Sequence, residues 1–289
     1  MKIAFIGLGA MGYPMAGHLK KNHDVTVWNR TAEVAERHAK EFGTARAATL
    51  ADCAGADAVI TIVPTSREVD EIVDQLIERL RPGTLWIDAT SGDPVASKAT
   101  AARLRAKKIA FVDAPVTGGT PGAIAGTLTV MIGGTPGDFE RARAICASYG
   151  KTIVHVGEVG AGHAIKAVNN AMMAANMLVA AEGLLSLKRF GFDMKTALEV
   201  LNAGSGRSNV TENLLPKRIV DGEWPLTFKL SLLDKDIRIA ASVAHSQHLA
   251  VPMLALTSQL YTAALRELGQ GADYIEVAKF VAGMNDESW

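Results

Sequence analysis

The chain has 289 residues, 48% hydrophobic and 21% charged, an ordinary globular balance at a length that points to two domains. Thirty basic residues offset thirty acidic ones with no block of like charge, so composition supports neither a nucleic-acid partner nor an anionic membrane surface. Cys53 and Cys146 have neither metal-ligand spacing nor a disulfide framework, which suits a reducing, cytoplasmic setting. No membrane span is expected, and Lys2–Ile6, followed at once by Gly7, Gly9 and Gly12, does not read as a signal peptide.

The first half alternates strand-like and helix-like runs. A short apolar strand over 2–6 ends in Gly7-Leu8-Gly9-Ala10-Met11-Gly12, and a helical pattern through Met15, Ala16 and Leu19 leads to a second strand over 24–28. These glycines have the spacing of a dinucleotide-binding turn. The first permits the tight bend, the second lets backbone approach a pyrophosphate, and the third allows close helix–strand packing. The helix start then offers free amides to the phosphates. Trp28-Asn29-Arg30-Thr31 closes the second strand without the acid that usually binds an NAD ribose. Arg30 can pair with a 2′-phosphate while Asn29 and Thr31 hydrogen-bond, which predicts NADP(H) in preference to NAD(H). The alternative is that Arg30 is a solvated loop residue.

Further strands are expected over 58–63, 84–88, 109–113, 127–132 and 153–156. A helix capped by Thr65 or Ser66 should run to Leu80, and another should span 136–149. Ligands of open α/β sheets bind at the carboxyl ends of strands, which places Val63, Pro64 and Thr90 beside a nicotinamide. Thr117-Gly118-Gly119 is a second glycine-rich loop, read either as amides able to hold a carboxylate or as a flexible surface loop. From about residue 162 the pattern becomes wholly helical, over 164–190, 194–201, 230–248, 251–268 and 275–280. The domains are therefore expected at 1–161 and 162–289: an α/β Rossmann-type N-terminal domain, then an all-α C-terminal domain, joined by a long interdomain helix. Lys166 and Asn170 share one face near the start of that helix, where alone they read as a polar cap. Lys235-Asp236 alone reads as a solvated charge pair. His245 and His248 read as ordinary helix residues, and no metal site is signalled.

Four stretches together resemble the β-hydroxyacid dehydrogenase family, which includes 3-hydroxyisobutyrate dehydrogenases, tartronate semialdehyde reductases and glyoxylate/succinic semialdehyde reductases. Phe5-Ile6-Gly7-Leu8-Gly9-Ala10-Met11-Gly12-Tyr13-Pro14-Met15-Ala16 resembles its N-terminal signature. Asp113-Ala114-Pro115-Val116-Thr117-Gly118-Gly119 resembles its substrate loop, with Thr117 where serine is commoner. Gly162-His163-Ala164-Ile165-Lys166-Ala167-Val168-Asn169-Asn170 resembles its catalytic helix. Phe228 through Lys235-Asp236 resembles its C-terminal contribution.

The resemblance implies that Lys166 is the general acid/base and that Asn170 orients it or the reacting oxygen. It implies that Thr117, Gly118 and Gly119 bind a substrate carboxylate, that Phe228 and Asp236 close the site, and that Lys235 lies near the cofactor. It further implies an interdomain cleft and a homodimer or homotetramer formed through the helical domain. The expected activity is reduction of a small semialdehyde or 2-oxo acid by NADPH. Oxidation of 3-hydroxyisobutyrate to methylmalonate semialdehyde is the alternative. An intact Lys166 speaks against an imine reductase and against a module that has lost its chemistry.

Overall fold

A computed structural model describes all 289 residues, which divide into two compact units, Met1–Lys166 and Ala167–Trp289. In chain order the first unit contains β1 (Lys2–Ile6), α1 (Gly12–Leu19), β2 (Asp24–Trp28), α2 (Ala32–Phe42), β3 (Ala45–Arg46), β4 (Ala58–Thr61), α3 (Ser66–Leu76), β5 (Leu85–Asp88), α4 (Pro94–Ala106) and β6 (Ala110–Asp113). It continues through β7 (Val116–Thr117), α5 (Gly119–Ala125), β8 (Leu128–Gly133), α6 (Pro136–Cys146) and β9 (Gly150–Gly157). α7 (Ala161–Phe190) begins in this unit and carries the chain into the second, which adds α8 (Met194–Ala203), α9 (Leu230–Ser246), α10 (Pro252–Leu268) and α11 (Val277–Gly283).

The sheet runs β3-β2-β1-β4-β5-β6, parallel throughout, and is extended by β8 with β7 and β9. That order reverses direction between β1 and β4, the switch point at which a dinucleotide fold opens its ligand crevice. Successive residues of each strand enter opposite cores. Ile3, Phe5, Ile60 and Ile87 join one cluster, while Ala4, Ile6, Val59 and Trp86 join the other. Helices cover both faces, so the strands are continuous apolar runs rather than alternating ones.

The expected strand over 58–63 stops at Thr61, because the chain leaves the ladder after the Ile62 amide bonds Ile6 O. The helix capped by Thr65 ends at Leu76 rather than Leu80; tight turns back to Leu76 O complete it. The 136–149 helix ends at Cys146.

In the second unit Ala171, Ala174, Met177, Leu178, Ala181 and Leu184 of α7 pack with Leu233 and Ile237 of α9, Tyr261 of α10 and Phe280 of α11. Alanine on this face lets helices approach closely. By length and composition alone, α7 is apolar enough to cross a membrane, with a mean hydropathy of 1.2. The core helix of a globular unit passes the same test, and the apolarity of α7 is shared between its buried alanine face and exposed Val168, Met172 and Val179. Residues Val210–Leu214 and Pro216–Val220 wind in wide π-type turns that periodicity did not announce.

Candidate active site

The candidate residues of the first unit gather at the carboxyl ends of β1, β2, β4, β5 and β6. After β1, Gly7 has φ +103°, and a Cβ there would stand 2.2 Å from Ile62 O. A Cβ on Gly12 would stand 2.0 Å from Gly7 O. Both positions are closed to any side chain. Gly9 differs: a Cβ there would meet nothing within 4 Å, and Gly9 and Ala10 are exposed. The turn is therefore bent by two glycines and left open at the third, which is the cradle a pyrophosphate needs at the start of α1. Leu8 is buried and Met11 half-buried beneath it.

Asn29 stands at the end of β2 with its amide group locked in place. Its Oδ1 accepts from Leu8 N at 3.0 Å and its Nδ2 donates to Thr31 O at 3.0 Å. That bond ties the loop after β2 to the glycine turn and leaves Arg30 and Thr31 exposed beside it. These residues fit a nicotinamide dinucleotide.

A buried network joins the loops after β4 and β5. Trp86 Nε1 donates to Thr61 Oγ1, whose hydroxyl donates to Asp88 Oδ1. The same carboxylate oxygen accepts from Thr90 N at 3.1 Å, and Thr90 Oγ1 accepts from Val63 N at 3.2 Å. Val63 and Thr90 are thus held as one rim, with Pro64 exposed at its edge. After β6, Gly118 adopts a positive φ of 125° and Gly119, the first residue of α5, one of 62°. Thr117 is paired with Thr129 of β8, so this segment is anchored at its base and is not a free loop.

α7 starts on a carboxylate supplied from another strand. Asp113, the last residue of β6, is fully buried; its Oδ1 accepts from Gly160 N at 2.7 Å and its Oδ2 from His163 N at 2.8 Å. These are the N-cap and third-position amides, the pair that a capping box serves from within a helix. Gly160 has no side chain to cap with, so Asp113 does so across the fold. Hydrogen bonds to a charged group contribute about 1.5–3 kcal/mol each. Gly162 exists for contact: a Cβ there would lie 2.4 Å from Met131 O and 2.8 Å from Asp113 Oδ2. Lys166, one turn further on, is half-buried.

In the second unit, Asn170 donates from Nδ2 to Asp236 Oδ2 at 2.6 Å, and Lys235 Nζ lies 2.7 Å from Asp236 Oδ1. Asp236 is 1% exposed and Asn170 5%. The solvated reading of Lys235-Asp236 and the polar-cap reading of Asn170 are both corrected: packing buries the carboxylate, and its two oxygens are engaged by the amide and the ammonium. Phe228 is half-buried and stacks edge-on to Tyr274 at 5.7 Å. Its backbone is held by Asp273, whose Oδ2 accepts from Phe228 N, Thr227 N and Thr227 Oγ1. Asp88, Asp113, His163 and Asp273 escaped the sequence reading. The only signal was an acid closing an apolar strand, at Asp88 and Asp113.

Two family descriptions match this chain: "NAD binding domain of 6-phosphogluconate dehydrogenase" over residues 2–157, and "NAD-binding of NADP-dependent 3-hydroxyisobutyrate dehydrogenase" over residues 160–281. The 2-(hydroxymethyl)glutarate dehydrogenase of Eubacterium barkeri is 34% identical over 94% of this chain and 92% of its own length. The chain belongs to the β-hydroxyacid dehydrogenase family. The NAD-dependent L-serine dehydrogenase of Pseudomonas aeruginosa is 32% identical over 96% of this chain and 97% of its own. The solved 3-hydroxyisobutyrate dehydrogenase of Mycobacterium tuberculosis with L-serine superposes with a TM-score of 0.87, at 26% identity, covering 97% of this chain and 98% of that one. As a β-hydroxyacid dehydrogenase, the protein is an NAD(P)-dependent oxidoreductase of hydroxy acids with a Rossmann-type domain followed by a helical one.

The two kinds of glycine separate experimentally. Gly12→Ala should lower stability by about 1–3 kcal/mol or more, as overpacking does. Gly9→Ala should leave stability within about 0.5 kcal/mol, as at an exposed site, while weakening binding of the better bound of NADPH and NADH at least about tenfold. Thermal unfolding and fluorescence titration read the two effects; unaltered affinity for that dinucleotide in Gly9→Ala contradicts the cradle.

Burial pushes the Asp113 carboxyl above the usual carboxylate range, against the pull of His163 and of the two amides. The folded chain then binds this proton more tightly than the unfolded chain. Its contribution to stability is full below about pH 4 and is lost as pH rises through the raised native value. Wild type should therefore gain stability relative to Asp113→Asn on acidification from neutral pH toward about pH 4. Urea unfolding at several pH values checks this, and a gap that does not vary with pH contradicts it.

Proposed function

We propose that this β-hydroxyacid dehydrogenase reduces a small carboxylate-bearing semialdehyde or 2-oxo acid, of the glyoxylate or succinic semialdehyde class, with NADPH. The observation that carries the reading is the convergence in one unit: the open glycine turn, the exposed Arg30, the Val63–Thr90 rim, the Thr117 segment and the Asp113-capped start of the Lys166 helix share one edge of the sheet. NADP(H) is favoured because Arg30 follows the locked Asn29 with no acid beside it to repel a 2′-phosphate. NAD(H) remains the competing cofactor.

A bound nicotinamide supplies the hydride. The developing alkoxide then needs a proton, and the Lys166 ammonium donates it while stabilising the charge. Asn170, held by Asp236, orients the reacting oxygen or the amine. The Thr117 hydroxyl and the amides of Gly118 and Gly119 bind the substrate carboxylate. The family resemblance assigns Phe228 to the substrate and Lys235 to the cofactor. In this reading the enzyme is cytoplasmic, in keeping with its two buried free cysteines. Exposed Val168, Met172 and Val179 share one face of α7 and support a homodimer or homotetramer formed through the helical unit.

The reading is tested by following NADPH and NADH oxidation with glyoxylate, succinic semialdehyde, tartronate semialdehyde and methylmalonate semialdehyde. The reverse arm offers NADP+ and NAD+ with 3-hydroxyisobutyrate and L-serine. Fastest turnover in the reverse arm would favour NAD(P)+-linked oxidation of a hydroxy acid instead. Lys166→Ala should lower kcat at least about a hundredfold with NADPH binding intact; near-normal turnover would sink the assignment. Arg30→Asp should move the NADPH/NADH ratio of kcat/KM toward NADH by about tenfold or more, the scale of one lost charge-assisted bond. An unchanged ratio would show that Arg30 is only a solvated loop residue.

A further inference from the structure

The first turn of α7 is gripped twice, and neither grip touches the residues assigned to chemistry. The Asp113 carboxylate holds it end-on, through Gly160 N and His163 N. From the side, the fully buried His163 ring lies against Gly92, where a Cβ would stand 2.7 Å from His163 Cε1. His163 Nδ1 lies 2.7 Å from Ser97 Oγ, and Ser97 Oγ donates to Asp93 O at 2.9 Å. With that hydroxyl proton committed, the imidazole Nδ1–H is the donor to Ser97. His163 Nε2 faces Asp88 Oδ2 at 3.9 Å, and Asp88 is the carboxylate that holds Thr90 N.

Two loops with assigned roles therefore meet the catalytic helix through these side chains. Asp113 leads directly into the Thr117-Gly118-Gly119 segment, and Pro115 Cδ lies 3.0 Å from the Cβ position of Gly162. His163 reaches the Thr90 rim by way of Gly92 and Asp88. Lys166 follows His163 by three residues on a helix, so the backbone under its amine moves with that turn.

We infer that Asp113 and His163 are positioning residues for proton transfer: they fix the first turn of α7, and with it the Lys166 amine, against the Thr90 rim and the Thr117 segment. The inference rests on the reading of Lys166 as the acid/base. Proton transfer is steep in distance, and misplacement by about 1 Å from a remote change can cost about a hundredfold.

The test compares Asp113→Asn and Ser97→Ala with wild type and Lys166→Ala, using whichever of the six substrates above is turned over fastest. Binding sites are counted by NADPH fluorescence titration, so that kcat is given per folded site. Asp113→Asn keeps the shape but sets an amide against one backbone N–H. Ser97→Ala removes the His163 partner, together with the Ser97 Oγ–Asp93 O bond at the start of α4. Asp113→Asn should lower kcat per site at least about tenfold, and Ser97→Ala at least about threefold, with NADPH affinity held within about twofold. In both, the solvent deuterium isotope effect on kcat should rise as proton transfer becomes slower.

A loss of melting temperature with kcat per site and the isotope effect unchanged would mean a purely structural role, and would overturn the inference. If Asp113→Asn yields no folded protein, Ser97→Ala decides alone by the same criteria. A dead Lys166→Ala beside fully active Asp113→Asn and Ser97→Ala removes only the positioning claim. An active Lys166→Ala removes the acid/base reading on which it stands.

Discussion

One carboxylate organises this enzyme's first unit. Asp113 closes β6, opens the segment that leads to Thr117, and caps α7 through the amides of Gly160 and His163. A helix start buried without partners would leave amides unsatisfied, at a cost of about 1–3 kcal/mol each. Here a single side chain satisfies two. The carboxylate also complements the positive end of the helix, an effect that reaches about 2 kcal/mol in partly buried settings. Because Gly133 and Gly162 leave no room for a Cβ beside Asp113, the contact is close-packed as well as charged.

The dinucleotide end rests on a different constraint, the exclusion of side chains. Gly7 and Gly12 are required by backbone contact, whereas a Cβ at Gly9 would meet nothing in the protein itself. Asn29 carries that constraint to the next strand by bonding Leu8 N, so the glycine turn and the start of the loop after β2 are held together. In the second unit, Asp236 does for Asn170 what Asp113 does for α7: a buried carboxylate holds a polar group that would otherwise be free to turn. Lys235 balances its charge.

The α/β half was legible because its strands are short continuous apolar runs and its glycines stand at a strand–helix junction. The helical half was legible from periodicity, with Leu230–Ser246 and Pro252–Leu268 falling within two residues of expectation. The differences lie at strand and helix ends and in the π-type turns over Val210–Leu214 and Pro216–Val220. Ile62 and Val63 extend the apolar run past Thr61, so hydropathy alone does not reveal where pairing stops. What was not legible is pairing at long range. Asp113 is 47 residues from Gly160 and Asp236 is 66 from Asn170, separations that no local pattern encodes. Lys235 and Asp236 are neighbours on a helix, where adjacent side chains ordinarily diverge. Only the packing of Asn170 against them shows why both are there.

The family supplies an NAD(P)-dependent oxidation–reduction of hydroxy acids. The central claim is that Asp113 holds the start of the Lys166 helix. Amide hydrogen exchange at Gly160 and His163 tests it most directly. Both amides should be strongly protected in the wild-type protein. In Asp113→Asn their protection should fall by about tenfold or more while that of the β1 and β4 core stays unchanged, as expected for local opening. Equal protection of Gly160 and His163 in the two proteins would contradict the account.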